Sequence, residues 1–159
     1  MTVCVVVELS RQEINQQSYS AIHAASQLSD DAIEVIVVGN VQQDQLDRVS
    51  CAEQVGQVHY RQTLLPVTAE LMVDALKDKA HDYSHILAAS STFSKDWLPR
   101  LAGVLNLYAV TDVVEILDAS HFVRPIYAGN AFEHMELEQS LIPMTIRPTL
   151  FDQQVIGST

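Results

Sequence analysis

Val3-Cys4-Val5-Val6-Val7-Glu8-Leu9 and its echo Ile33-Glu34-Val35-Ile36-Val37-Val38 decide the fold. Both runs are β-branched and nearly all apolar, which reads as strands covered on both faces. The second ends at Gly39-Asn40, a turn signal. Between them Ile14, Ala21, Ala24, Ala25 and Leu28 fall on one helical face of an otherwise polar stretch. Outward from this pair, Val55 to Tyr60 makes a shorter strand. Residues 67–80 make an amphipathic helix, with Thr68 as N-cap ahead of Leu71, Met72, Ala75 and Leu76. Ser84 to Ala89 is a fourth strand, and a helix runs from about Ser94 to Asn106. Strands alternating with helical patterns imply βαβ units with right-handed crossovers. The expected fold class is α/β: a doubly wound, mainly parallel sheet with helices on both faces.

After Asn106 the pattern changes. Val113–Leu117, Phe122–Tyr127, Ala131–Glu138 and Met144–Ile146 are short strand-like runs with no long helix between them. Gly129-Asn130 and Glu138-Gln139-Ser140 supply turns, so a C-terminal β-rich extension is expected. Residues 1–151 read as one domain and 152–159 as a polar tail or the start of a linker.

Composition narrows the class of partner. The 159 residues carry nine Lys+Arg against 20 Asp+Glu, a net charge of −11. Such a surface repels phosphate backbones and anionic lipid heads, which argues against nucleic acid and membrane surfaces. Cys4 and Cys51 allow at most one disulfide and no four-thiolate metal site. Cys4, inside an apolar run, reads as a buried and inert thiol. The chain enters that run without a basic n-region or an A-x-A site, and no apolar run approaches the ~20 residues of a spanning helix. The expectation is a cytoplasmic protein of bacterial type, with no signal or transit peptide and no direct membrane insertion.

Chemistry-bearing motifs are sparse. The glycines are Gly39, Gly56, Gly103, Gly129 and Gly157, from which neither G-x-G-x-x-G nor a P-loop can be assembled. His23, His59, His81, His85, His121 and His134 show no zinc-site spacing, so structural histidines and no metal are expected. Ser10 and the run Ser90-Ser91-Thr92 follow strands, where an open α/β sheet binds ligands. Ser90, Ser91, Thr92 and Ser94 are therefore candidates for an anion site at a helix N-terminus, with Lys95 and Arg100 close by. The alternative is that Thr92 or Ser94 simply caps the following helix. No carboxylate pair and no Ser-His-Asp set stands out as catalytic.

Three longer stretches carry more. Residues 85–117, HILAASSTFSKDWLPRLAGVLNLYAVTDVVEIL, then 122–133, FVRPIYAGNAFE, then 144–152, MTIRPTLFD, resemble the alpha subunit of electron transfer flavoproteins. The resemblance rests on Phe93, Lys95, Leu98, Pro99, Arg100 and Ala102, on Thr111-Asp112, on Arg124 with Tyr127-Ala128-Gly129-Asn130-Ala131, and on Arg147-Pro148 with Phe151. Residues 1–85 fit the family only through the βαβ layout and the opening strand. Ser94 stands where the family has a glycine before the lysine.

The resemblance implies the N-terminal half of such a subunit, with a nucleotide-hydrolase-like fold (adenine nucleotide alpha hydrolase-like) and 152–159 opening the interdomain linker. It implies an electron carrier subunit and not an enzyme, pairing with a beta subunit as a dimerisation scaffold. FAD in the intact heterodimer would lie mainly on a C-terminal domain, AMP on the beta subunit, and neither on this chain. Donors would be dehydrogenases such as the acyl-CoA dehydrogenases of fatty acid beta-oxidation, and the acceptor a quinone reductase. Interface candidates are Lys95, Pro99, Arg100, Arg124, Tyr127 and Asn130, with an uncovered apolar patch sought around Trp97, Leu98, Tyr108 and Tyr127, residues that serve equally well as ordinary core. Two other readings compete: a stand-alone adenine-nucleotide-binding module using Ser10 and Ser90–Thr92, and a small hydrolase on the sheet's carboxyl edge.

Overall fold

The computed structural model describes residues 2–151; the expected tail or linker at 152–159 lies outside them. In chain order the elements are β1 (Val3–Val6), β2 (Leu9–Ser10), β3 (Glu13–Ile14), α1 (Gln16–Ser26), β4 (Ile33–Gly39), α2 (Gln43–Ser50) and β5 (Val55–Gln62). There follow α3 (Ala69–Leu76), β6 (His85–Ala89), α4 (Thr92–Val104), β7 (Val110–Val113), β8 (Glu115–Ile116), β9 (His121–Ile126), β10 (Ala131–Glu136) and β11 (Ile142–Ile146).

Six strands form one parallel sheet in the order β5-β4-β1-β6-β11-β7. Its central strands are apolar on both faces because both faces are covered. Val3, Val5 and Val7 pack with Ala21, Ile22, Ala24 and Ala25 of α1, while Cys4 and Val6 pack with Met72 and Leu76 of α3 and Trp97, Leu98 and Leu101 of α4. The period-2 alternation of a single strand thus feeds two separate cores.

The β-rich third of the chain divides in two, which corrects the expected extension. β7 and β11 belong to the main sheet, and only β8, β9 and β10 form a separate antiparallel meander, inserted between them. Met144–Ile146 gave no local sign of this, because its parallel partner β6 lies far back in the chain. Three further differences are local. Ile14 sits in the β2–β3 ribbon ahead of α1. Helix α2 went unread because it is polar, with Val49 its one buried residue. The helix expected over 67–80 is shorter, Ala69–Leu76, and is capped as expected by Thr68, whose Oγ1 accepts from Leu71 N–H.

Gly39 has φ +136, and a Cβ there would lie 2.8 Å from Leu9 Cδ1, so this strand end requires glycine. Cys4 is buried and Cys51 exposed, both as free thiols. Burial pushes the Cys4 thiol far above its ordinary range, so it stays protonated. No helix among the described residues is long and apolar enough to cross a membrane.

Candidate functional site

Strand order reverses between β1 and β6: the chain moves outward from β1 through β4 to β5, then returns to β6 on β1's other side. The carboxyl ends of β1 and β6 therefore border the crevice where open α/β sheets bind ligands. Ser90, Ser91, Thr92 and Ser94 all lie there. Ser91 is the N-cap of α4, a position the sequence reading gave to Thr92 or Ser94; its Oγ accepts from Ser94 N–H while Ser94 Oγ accepts from Ser91 N–H, a complete capping box. Ser94 is buried and its hydroxyl also reaches Ala89 O at 2.7 Å. A serine in place of the family's glycine thus gains a structural task at N3. Thr92 is exposed.

A residue passed over in the sequence completes the crevice. Glu8, two residues past the end of β1, receives a hydrogen bond from Ser91 Oγ on its Oε1 at 3.0 Å. Its backbone N–H donates to Ser18 Oγ in α1 at 2.9 Å, which fixes where the side chain starts. Ser10, by contrast, is exposed in the β2–β3 ribbon, where it pairs with Glu13. The one available signal was an acid ending an apolar strand. Beside Glu8 lies a pocket of about 330 Å³ lined by Val7, Leu9, Val38, Val67, Met72 and Phe93.

A second group of side chains gathers where β7 ends. Asp112 has φ +56, a left-handed conformation costly for a non-glycine residue, and its N–H donates to Thr145 Oγ1 at 2.9 Å. Lys95 Nζ lies 3.4 Å from Asp112 Oδ2. Burial works against ionising Asp112, but the Ser90 hydroxyl and the Lys95 ammonium hold its carboxyl below the ordinary range. Arg124 donates through Nε to Thr111 O at 2.9 Å and through NH1 to Glu133 Oε2 at 3.2 Å. Lys95 and Arg124 are thereby joined through Thr111-Asp112.

The remaining interface candidates lie elsewhere. Pro99 and Arg100 are on the outer surface of α4, where Arg100 pairs with Glu70 of α3 at 2.9 Å and with Asp96 at 3.3 Å. Tyr127 and Asn130 form the tip of the β9–β10 hairpin. Tyr127, Ala128 and Gly129 are consecutively left-handed, at φ 51, 53 and 86, and the turn holds the Tyr127 ring in solvent, 78% exposed. Phe132, next to the tip, is exposed too, at 60%. The two readings of Trp97, Leu98, Tyr108 and Tyr127, surface patch or ordinary core, thus divide evenly. Trp97 and Leu98 are 1% and 0% exposed, inward residues of α4 spaced for the core, whereas Tyr108 and Tyr127 are out.

His85 ties the meander to the sheet. Its imidazole is buried at the start of β6, with Nε2 2.8 Å from Ala119 O in the β8–β9 turn, Nδ1 2.9 Å from Ser84 Oγ, and its ring edge-on to Phe122 of β9. Burial lowers its pKa, so the neutral ring is the folded form, with Nε2–H as donor. At the other rim, Glu34 accepts from the Tyr83 hydroxyl at 2.5 Å and contacts His59 Nε2 at 3.0 Å. Burial opposes ionisation of Glu34, but these two partners keep its carboxyl below the ordinary range. No group of three or more His, Cys, Asp or Glu among the described residues is arranged to hold a metal ion.

Flavin or nucleotide phosphates do not fit the described crevice. An anion would have to enter beside the Glu8 carboxylate, which already takes the hydroxyl donor of Ser91.

Comparison with known proteins gives the same lineage as the motifs. The family model for the electron transfer flavoprotein domain matches residues 3–159. An electron transfer flavoprotein subunit alpha, mitochondrial, from Arabidopsis thaliana is 36% identical over 141 residues, covering 82% of this chain and 38% of the relative. Its counterpart from Dictyostelium discoideum is 30% identical over 162 aligned residues, covering 96% of this chain and 45% of the relative. The alpha subunit of Paracoccus denitrificans is 41% identical over 100 residues, 63% of this chain and 31% of its own. The chain spans less than half the length of these relatives.

Proposed function

The chain belongs to the electron transfer flavoprotein family, and from that membership we propose that it is the N-terminal scaffold domain of an alpha subunit, a partner for a beta subunit. The observation that carries the proposal is the family match over residues 3–159 in a chain that covers only 38% and 45% of two alpha-subunit relatives. Residues 1–151 are the domain and 152–159 the start of the link to a flavin-bearing half. In the assembled protein FAD sits mainly on that half and AMP on the beta subunit. The heterodimer carries electrons from dehydrogenases, such as acyl-CoA dehydrogenases, to a quinone reductase, in the cytoplasm.

On this reading the chain's own residues shape and present surface, and it has no catalytic group. The meander supports it: His85 holds the meander against β6, and its hairpin tip offers Tyr127, Asn130 and Phe132 to a partner. Exposed aromatics on a rigid turn are the usual anchors of an interface. Lys95 and Arg124, locked to Asp112, Thr111 and Glu133, brace the base of that hairpin and are interface residues at its margin. The stand-alone nucleotide module has Glu8 against it.

Two measurements test the proposal. Sedimentation of the purified chain with a beta subunit from the same organism should give a one-to-one complex. Calorimetric titration of the chain alone with FAD, AMP and ATP should give no heat of binding; a stoichiometric flavin or nucleotide complex on this chain by itself would overturn the scaffold role.

A further inference from the structure

We infer that Glu8 is the specificity-determining residue of the β1/β6 crevice: its carboxylate sits where a bound phosphate would sit, and so closes to anions a fold position otherwise suited to them. This deepens the proposed scaffold role and rests on it.

The argument starts from the topology. Where β1 and β6 diverge, α1 leaves to one face of the sheet and α4 to the other, so no helix covers the carboxyl ends between them. The amino end of α4 borders this opening, with the Ser91 hydroxyl and the N–H groups of Thr92 and Phe93, which the capping box leaves out. The first turn of α4 carries no acidic residue of its own and includes the cation Lys95 soon after. A positive helix end with a nearby ammonium calls for negative charge, and the tertiary structure provides it from two other segments. Glu8 arrives from β1 and meets Ser91 at 3.0 Å; Asp112 arrives from β7 and meets Lys95 at 3.4 Å.

The pocket is an independent observation. Its volume of about 330 Å³ has walls of Val7, Leu9, Val38, Val67, Met72 and Phe93, and Glu8 is its one charged lining residue. Gly39 backs it, since a Cβ there would press on Leu9 and on Val67. The crevice thus keeps the open, apolar half of a ligand site, while Ser91 on its polar side is already engaged by Glu8. A phosphate entering beside Glu8 would meet a like charge in an apolar setting and would find Ser91 already engaged. The like charge acts against anions and not against a neutral molecule.

The test is a substitution of equal shape, Glu8→Gln, which keeps an acceptor for Ser91 and removes the charge. Amide chemical shifts of residues 90–95 are followed during separate titrations of the whole chain with inorganic phosphate and with AMP. In the unaltered protein neither titration should move them. In Glu8→Gln both should, with affinity at least about tenfold above the native limit, the scale of relieving one like-charge contact. Glu8→Ser, which removes the carboxylate and leaves a hydroxyl, provides the same readout should the glutamine variant fail to fold. A folded variant that leaves these amides unmoved overturns the inference, as does phosphate binding at residues 90–95 in the native chain. Association of Glu8→Gln with the beta subunit is measured alongside. Its retention with no phosphate binding defeats the role of Glu8 alone; its absence in the native chain defeats the scaffold role instead.

Discussion

Every residue of β6 and β11 is buried, whereas burial along β10 alternates residue by residue and the adjoining tip holds Tyr127 in solvent. The two larger sheets of one small domain are thus built to opposite requirements. In the parallel sheet the inner strands β1, β4, β6 and β11 are covered on both faces, so apolar volume sets stability, and only the edge strand β5 has no buried residue. In the meander one face rests on the domain through Phe122 and His85, and the other face is exposed. The difference separates residues whose loss should unfold the chain from residues whose loss should only change what it binds.

The largest effect should come from the parallel side. Trp97→Ala removes a ring that is 1% exposed beneath α4, and urea unfolding should show a loss of about 3–5 kcal/mol. A loss under about 1 kcal/mol would mean that the division drawn above is wrong.

Next is the junction. His85→Phe keeps the aromatic contact with Phe122 but leaves Ala119 O without its donor, at a cost of about 1–3 kcal/mol. The same residue sets a pH dependence. Its pKa is lowered in the fold, so the unfolded chain binds the proton more readily. The stability that His85 supplies is complete above the ordinary histidine range and drains away as pH falls through that range. Denaturant midpoints measured downward from neutral pH should fall for the native chain and fall less for His85→Phe.

Ser91→Ala breaks the capping box and should cost about 1 kcal/mol, read as a lower midpoint at unchanged m-value. In the hairpin tip, Ala128→Gly removes the penalty of a left-handed alanine and should raise stability by up to about 1 kcal/mol. Smallest in stability and largest in binding is Tyr127→Ala. The exposed ring should matter to folding by no more than about 0.5 kcal/mol, while affinity for a beta subunit should drop at least about tenfold. An unchanged affinity would place the interface away from the tip.

The comparison also shows what could be read in advance. Strands β1, β4 and β6 were legible because continuous β-branched runs have few other uses, and α3 because Thr68 announces its start. Helix α2 was passed over: its eight residues turn only two apolar side chains inward, Leu46 and Val49, too few beside so many polar neighbours to draw notice. Trp97 and Leu98 stayed open between core and surface, since apolar residues at the start of a helix read equally as either until their neighbours are known. The serines of the crevice were found from their position after a strand. Glu8 was not, because a single acid has no pattern.

By itself, then, the sequence determined the α/β class, the family lineage carried by the YAGNA and LPR stretches, and the lack of a glycine-rich phosphate loop, all properties of neighbouring residues along the chain. Only the tertiary structure decided that β11 slots between β6 and β7, that the meander is an insertion, and that Glu8 meets Ser91 across 83 residues of sequence. Such pairings depend on register and on which strands become neighbours. Local propensity and hydrophobic period carry no record of either, and burial settles them when the two faces of the sheet close.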